Sequence, residues 1–88
     1  MESIKLNKGD LNYRRPNIIE LFEMRSFSGW GKSDNGYQVI AKAIDYSKKL
    51  CDDENEYTKA INDLKNQDVL SKWAVSLLKS EIEEKEKK

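Results

Sequence analysis

Apolar residues recur at intervals of three and four through the last third of the chain, and this spacing limits what that segment can fold into. An α-helix completes a turn in about 3.6 residues, so the spacing collects the apolar side chains on one face. We predict a long amphipathic helix here, which begins at an Asp68 cap after Asn66 ends the preceding helix. Its predicted inward residues are Leu70, Trp73, Ala74, Leu77, Leu78 and Ile82.

Two central segments repeat the helical spacing. The inward residues predicted for the first of them are Tyr37, Ile40, Ala41, Ile44, Lys48 and Cys51, with Val39, Ala43 and Leu50 widening the stripe. Asp52 and Asp53 interrupt this pattern, and Asp53 with Glu56 has the spacing of a capping box that starts another helix. The inward residues predicted for that helix are Tyr57, Ala60, Ile61 and Leu64.

A further helix is predicted after Pro16, which keeps Arg15 out of the helical conformation. Asn17 and Glu20 have the spacing of a capping pair, and we expect the helix to run to about Arg25. The face expected to be buried consists of Ile18, Ile19, Leu21, Phe22 and Met24, and the residues expected outside are Glu20 and Glu23.

Residues 3 to 14 alternate between apolar and polar side chains. Ile4 and Leu6 fall on one face of a strand, Leu11 and Tyr13 do likewise, and Gly9 lies in the turn region. An isolated two-stranded hairpin is marginal in water, so this one is expected to lie against the helices. The sequence therefore predicts a mainly α protein, a compact bundle of about four helices with a short N-terminal β-hairpin.

The length of 88 residues suits one domain with a thin core. We assign residues 1–82 to a single helical domain. Residues 83–88 carry no apolar side chain, so this charged tail is expected to continue the last helix and then fray.

The available chemistry is restricted, because the chain has no histidine and a single cysteine, Cys51. The usual nucleophilic triads, zinc-finger spacings and most transition-metal sites are therefore excluded. The acidic residues from 52 to 56 lie at a predicted helix start, where the macrodipole favours them, and we interpret them as caps. We predict a protein that is not an enzyme and uses no cofactor or metal. The lone thiol and the lack of a long apolar N-terminal stretch favour the cytoplasm.

The segment from Ser26 to Gly36 is rich in glycine and serine and is predicted to be a loop. It carries Phe27 and Trp30, which either plug the edge of the core or contact a partner. A phosphate-binding loop is not indicated, because the required spacing and its Lys-Ser or Lys-Thr end are missing.

A small cationic and aromatic cluster precedes and follows the first predicted helix, formed by Arg14, Arg15, Arg25 and Lys32 with Tyr13 and Trp30. Such a cluster can stack on bases and contact phosphates. The chain balances 16 basic residues against 16 acidic ones, however, and so lacks the positive field that attracts nucleic acids or anionic membranes. Solvated arginines are the favoured interpretation.

The segment from Leu11 to Met24, with the sequence LNYRRPNIIELFEM, resembles the opening of several tail assembly chaperones of long-tailed bacteriophages. Its most motif-like part is Tyr13-Arg14-Arg15-Pro16, and the later order of a loop, a helix, a Tyr-bearing helix and a Trp-bearing helix is also similar. The resemblance implies a protein of the host cytoplasm that binds the phage tape-measure protein and keeps its helices from aggregating.

The preferred hypothesis is a non-catalytic protein-binding protein of this chaperone class. The candidate partner-binding residues are Arg14, Arg15, Ile18, Phe22, Phe27 and Trp30. The alternative is a small phage or bacterial regulator that binds and inhibits a host protein, for which the same size and mixed charge are suitable. A nucleic-acid binder ranks third.

Overall fold

The computed structural model of the chain describes residues 1–79, in which two strands precede four α-helices. The elements in chain order are β1 (Glu2–Leu6), β2 (Gly9–Tyr13), α1 (Ile18–Ser28), α2 (Gly36–Tyr46), α3 (Glu54–Ile61) and α4 (Gln67–Lys79). Short 3₁₀ turns at Ser47–Leu50 and Leu64–Asn66 lead towards α3 and α4. The predicted mainly α architecture with an N-terminal hairpin is confirmed. The predicted domain end at residue 82 and the tail at 83–88 lie outside the described residues.

The alternating N-terminal residues form the hairpin. β1 and β2 pair in antiparallel register across a turn at residues 7–8, with Ile4 opposite Leu11. Leu11 and Tyr13 are buried, and Ile4 and Leu6 pack against the core at half burial. The predicted alternation is therefore confirmed. The apolar face of the hairpin packs against the helices, which supplies the stability that an isolated hairpin lacks.

The core is built on α4. The residues predicted to face inward are all buried here, namely Leu70, Trp73, Ala74, Leu77 and Leu78, whereas Ile82 lies outside the described residues. The ring of Tyr13 meets that of Trp73 edge to face, with centroids 5.2 Å apart and planes at 75°. This favourable aromatic geometry joins the hairpin to α4.

The buried face of α1 is much narrower than the sequence predicts. Only Met24 and Ser28 are buried, whereas Ile18, Ile19 and Phe22 expose 72%, 69% and 59% of their surface. The prediction was wrong because apolar residues occur on almost every side of this helix, so its periodicity cannot identify the inner side. The helix contacts α2 and α4.

The buried face of α2 is rotated from the predicted one. Tyr37 was expected inside and is 89% exposed, and Ala41 and Lys48 are also exposed. The face that meets the core centres on Val39 and Ala43, which the sequence placed at the margin of the stripe. The predicted face and the observed face of α2 both have helical spacing, so spacing alone does not distinguish them. Ala43 is small, which permits the close approach of neighbouring helices.

The chain between α3 and α4 also departs from the prediction. Tyr57 and Ala60 are buried as expected, but Ile61 is exposed and Leu64 is 78% exposed. The cause is that α3 ends early and the following 3₁₀ turn points Leu64 outward. Asp68 is not a cap, since α4 begins one residue before it.

The cap predicted at Asp53 is confirmed, whereas the cap predicted at Asp68 is replaced by one at Asp63. Asp53 caps α3 by accepting from the backbone N–H groups of Asn55 and Glu56. Asp63 rather than Asp68 supplies the next cap, and it accepts from the N–H of Lys65 at the start of the 3₁₀ turn.

The side chain of Asn66 connects the hairpin turn to the segment between α3 and α4 through hydrogen bonds. Its side chain is buried, accepts from the backbone N–H of Asn7 at 2.8 Å and donates to the carbonyl of Ala60 at 3.0 Å. One amide therefore satisfies two backbone groups that belong to distant parts of the chain.

We expect Asn66→Ala to lower the free energy of unfolding by about 1 to 2 kcal/mol. The substitution leaves the Asn7 N–H without a protein partner and removes one of the bonds to the Ala60 carbonyl, which also accepts from Asp63. Urea denaturation followed by circular dichroism measures this change. Asn62→Ala is the matched control, since Asn62 is exposed and donates only to Thr58 within its own helix. Equal effects of the two substitutions would contradict the bridging role.

Candidate protein-binding surface

α1 begins at a complete capping box. The side chain of Asn17 accepts from the N–H of Glu20 at 2.8 Å, and the Glu20 carboxylate accepts from the N–H of Asn17 at 3.0 Å. The Nη1 and Nη2 atoms of Arg14 donate to the two oxygens of the same carboxylate, at 2.7 and 2.8 Å. The Arg14 hydrogen bond, helped by the Asn17 N–H, lowers the pKa of Glu20 to about 2. Glu20 is thus a half-buried anchor rather than the outer residue that the sequence predicts.

Arg15 has a carboxylate partner of its own. Its Nε atom lies 2.7 Å from Glu2, whose other carboxylate oxygen accepts from the Tyr13 hydroxyl at 3.2 Å. The Arg15 hydrogen bond lowers the pKa of Glu2. Both candidate arginines therefore bind to their own chain. They fix the segment between β2 and α1, and Tyr13 is buried, so the cationic and aromatic cluster is not assembled as one open surface.

The outer side of α1 carries three exposed apolar residues, Ile18, Ile19 and Phe22, which we call the α1 stripe. At 3.6 residues per turn these three positions fall within about a third of the helix circumference. The guanidinium of Arg25 lies 5.9 Å from the centroid of the Phe22 ring, in cation–π range, at the end of the stripe.

Arg25 also fixes α1 to α4. Its Nε atom donates to the carbonyl of Leu78 at 2.8 Å, so the two helices are joined near their C-terminal ends. With the capping box at the other end, α1 is held at both termini. The stripe is therefore presented on a helix of fixed orientation.

Phe27 and Trp30 lie apart from the α1 stripe. Trp30 packs against the core at half burial, which favours the plug interpretation over an open contact. Phe27 remains partly exposed, and its ring centroid lies 6.3 Å from that of Tyr46 on α2. Glu23 separates Phe27 from the stripe and accepts from the Tyr46 hydroxyl at 2.8 Å.

The structure therefore brings together Ile18 and Phe22 among the candidate residues and adds Ile19, which the sequence reasoning did not select as a contact. One signal could have identified it. Six large apolar residues occur between positions 18 and 27, more than one buried helix face can hold.

A groove of about 760 Å³ lies between the hairpin turn and the chain from α3 to the start of α4. Its apolar lining includes Leu6, Ala60 and Leu64. The charged residues around it are Lys8, Lys59 and Lys65 with Asp10, Glu56 and Asp63. The opposite charges balance, so the groove has no net field that would select an ionic ligand.

Cys51 lies half-buried beside the core, and burial raises the pKa of its thiol to about 11. Its thiol form predominates at neutral pH, and its Sγ atom donates to the carbonyl of Ser47 at 3.4 Å. Within residues 1–79 there is no cluster of three or more histidine, cysteine or acidic residues that could hold a metal ion. None of the helices in this part of the chain has the length and apolarity required to cross a membrane.

Comparison with protein-family models, with curated proteins and with solved structures found no match to this chain.

We expect the stability difference between the native protein and its Glu20→Gln variant to depend on pH. The pKa of Glu20 is lowered from 4.5 to about 2 in the folded state, so its contribution is present above pH 4.5 and is lost as the pH falls towards 2. The native protein should be more stable near neutral pH, by about 1 kcal/mol, and the difference should shrink across this window.

Thermal unfolding between pH 2 and 7 measures this difference. Asp34→Asn, at an exposed loop position, is the control. A Glu20→Gln variant that follows the native pH profile throughout would disprove the anchoring role of this carboxylate.

Proposed function

We propose that this protein is a non-catalytic protein-binding protein that docks its partner on the α1 stripe. The observation that carries this proposal is the exposure of Ile18, Ile19 and Phe22 side by side on one helix. Large apolar groups that are contiguous and exposed mark interaction sites, whereas isolated ones are common on any surface. Aromatic residues such as Phe22 are also enriched where proteins meet.

The fixed orientation of α1 supports the same proposal. The capping box, the pair between Arg14 and Glu20, and the bond from Arg25 to Leu78 hold the helix at both ends. A surface that is already ordered loses little conformational entropy when a partner binds. Arg14 and Arg15 then act by positioning the start of the stripe rather than by direct contact.

The finer proposal is a phage tail assembly chaperone of the host cytoplasm that holds the tape-measure protein during tail assembly. Two features support it. The Tyr13-Arg14-Arg15-Pro16 segment carries the resemblance, and the stripe begins two residues after Pro16. An amphipathic helix of a long helical partner can cover such a stripe with apolar residues spaced three and four apart.

Co-expression with the tape-measure protein encoded beside this chain tests the proposal. We expect the native protein to keep that partner soluble and to co-purify with it. The double variant Ile18→Ser with Phe22→Ser should weaken binding at least about tenfold, because it removes the apolar contact at the centre of the stripe. Both positions are exposed, so the unfolding temperature should change little.

Tyr37→Ser is the matched control, since Tyr37 is an exposed residue on α2 outside the stripe. The chaperone proposal fails if the tape-measure protein gains no solubility and does not co-purify. A host protein that binds directly, and binds more weakly to the double variant, would then favour the inhibitory regulator. If no partner binding depends on the stripe, the docking proposal itself is wrong.

A further inference from the structure

β1 is the outer strand of the sheet, because β2 has a neighbour on each side. Along one edge β2 pairs with β1. Along its other edge the N–H of Arg14 donates to Leu50 at 2.9 Å, and the carbonyl of Asn12 accepts from Asp52 at 3.0 Å. The residues near position 51 thus close that side of the sheet with a short antiparallel bridge. Within residues 1–79 no strand lies along the far edge of β1.

These bonds determine which way the backbone groups of β1 point. The N–H and C=O of one strand residue point to the same edge, and successive residues alternate. The groups at positions 12 and 14 point away from β1, so those at 11 and 13 point towards it. In the observed register their partners are residues 4 and 2. The N–H and C=O groups of Ser3 and Lys5 must therefore point outward.

Asn7 supports this assignment independently. If the N–H groups of Ser3 and Lys5 point outward, the alternation predicts that the N–H of Asn7 also points outward. This N–H indeed donates to Asn66, which lies outside the sheet. Ser3 and Lys5 are exposed, and neither backbone forms a hydrogen bond outside the hairpin with any other residue among 1–79. The far edge of β1 is thus a short row of donors and acceptors with no protein partner among residues 1–79, which is a template for another strand.

We propose that two copies of this chain pair β1 against β1 in antiparallel orientation, about a two-fold axis at Ile4. Ser3 then lies opposite the second copy's Lys5, and each such pair exchanges two backbone hydrogen bonds. The two hairpins become one four-stranded sheet. The interface is isologous, so one contact satisfies the exposed edges of both copies.

The charges along β1 favour this register over pairing about Lys5. Pairing about Lys5 would set two lysines directly opposite, which is destabilising, whereas pairing about Ile4 sets each lysine against a serine. Within its own hairpin Lys5 lies opposite Asp10, whose charge has the opposite sign. The two Ile4 side chains become a closely spaced apolar pair across the axis.

The new pairing ends at Asn7 in this register, because the outward N–H of Asn7 is already bound to Asn66. Met1 of one copy lies opposite the second copy's Asn7, whose N–H and side chain bind Asn66 and Asp63. Leu64 adjoins this segment, and both Met1 and Leu64 are highly exposed. The pairing therefore brings an exposed apolar residue at one end of the strand towards an exposed apolar residue at the other.

Sedimentation equilibrium of the full chain, from about 1 μM to about 1 mM, tests the proposal. We expect a monomer–dimer equilibrium that Lys5→Pro weakens at least about tenfold. Proline lacks the N–H and is tolerated at an outward position of an edge strand, so the hairpin should remain intact. Lys5→Thr is the matched control, because it removes the charge but retains the N–H.

Circular dichroism and the unfolding temperature verify that both variants stay folded. A protein that remains monomeric over the whole concentration range overturns the proposal. Lys5 would then be a charged residue that prevents other strands from pairing with this edge. A dimer whose dissociation constant is unchanged by Lys5→Pro also overturns it. If Phe22→Ser instead abolishes that dimer, the copies meet through the α1 stripe.

Cysteine cross-linking checks the register in a Cys51→Ser background. Hydrogen-bonded antiparallel pairs have Cα atoms about 5.5 Å apart, within the range that a disulfide spans. A mixture of the Ser3→Cys and Lys5→Cys chains should form the mixed dimer under oxidation in preference to either homodimer. Preferential Ser3→Cys homodimers would exclude an axis at Ile4. The cross-linking result does not bear on the docking function of α1, which uses a different surface.

Discussion

The edge-to-face contact between Tyr13 and Trp73 is the interaction on which the remaining structure depends. It attaches a hairpin that would be marginal alone to α4, which contributes five buried residues to the core. The end of β2 fixes Arg14 next to Glu20, and this pair fixes the start of α1. The position of the exposed stripe on α1 thus follows from a buried aromatic contact between β2 and α4.

α1 can leave its stripe exposed because its attachment is largely polar at both ends. Met24 supplies the buried apolar contact, while Asn17, Glu20 and Arg25 hold the ends through hydrogen bonds. A helix of 11 residues is short for independent stability in water, so these contacts and Met24 decide whether it forms. The three stripe residues contribute little to burial and remain available for another protein.

The sequence predicted the four helices and the hairpin, but it identified the buried face of a helix only where one face alone is apolar. α4 has a single apolar face, and its described inward residues were assigned correctly. α1 is apolar on most sides, so its inner side depends on which neighbours it meets and cannot be deduced from spacing. The outward position of Leu64 depends on a 3₁₀ turn that Asp63 caps. Ile19 was missed as a contact because spacing alone does not show which side of α1 is exposed.

Solvent paramagnetic relaxation of the side-chain methyl groups, measured by NMR, tests the exposed α1 stripe most directly. A soluble paramagnetic agent relaxes exposed methyl groups strongly and buried ones weakly. We expect strong relaxation at Ile18 and Ile19 and weak relaxation at Leu77 and Leu78 in the free protein. Protection of Ile18 and Ile19 to the level of Leu77 would show instead that the stripe belongs to the core and cannot dock a partner.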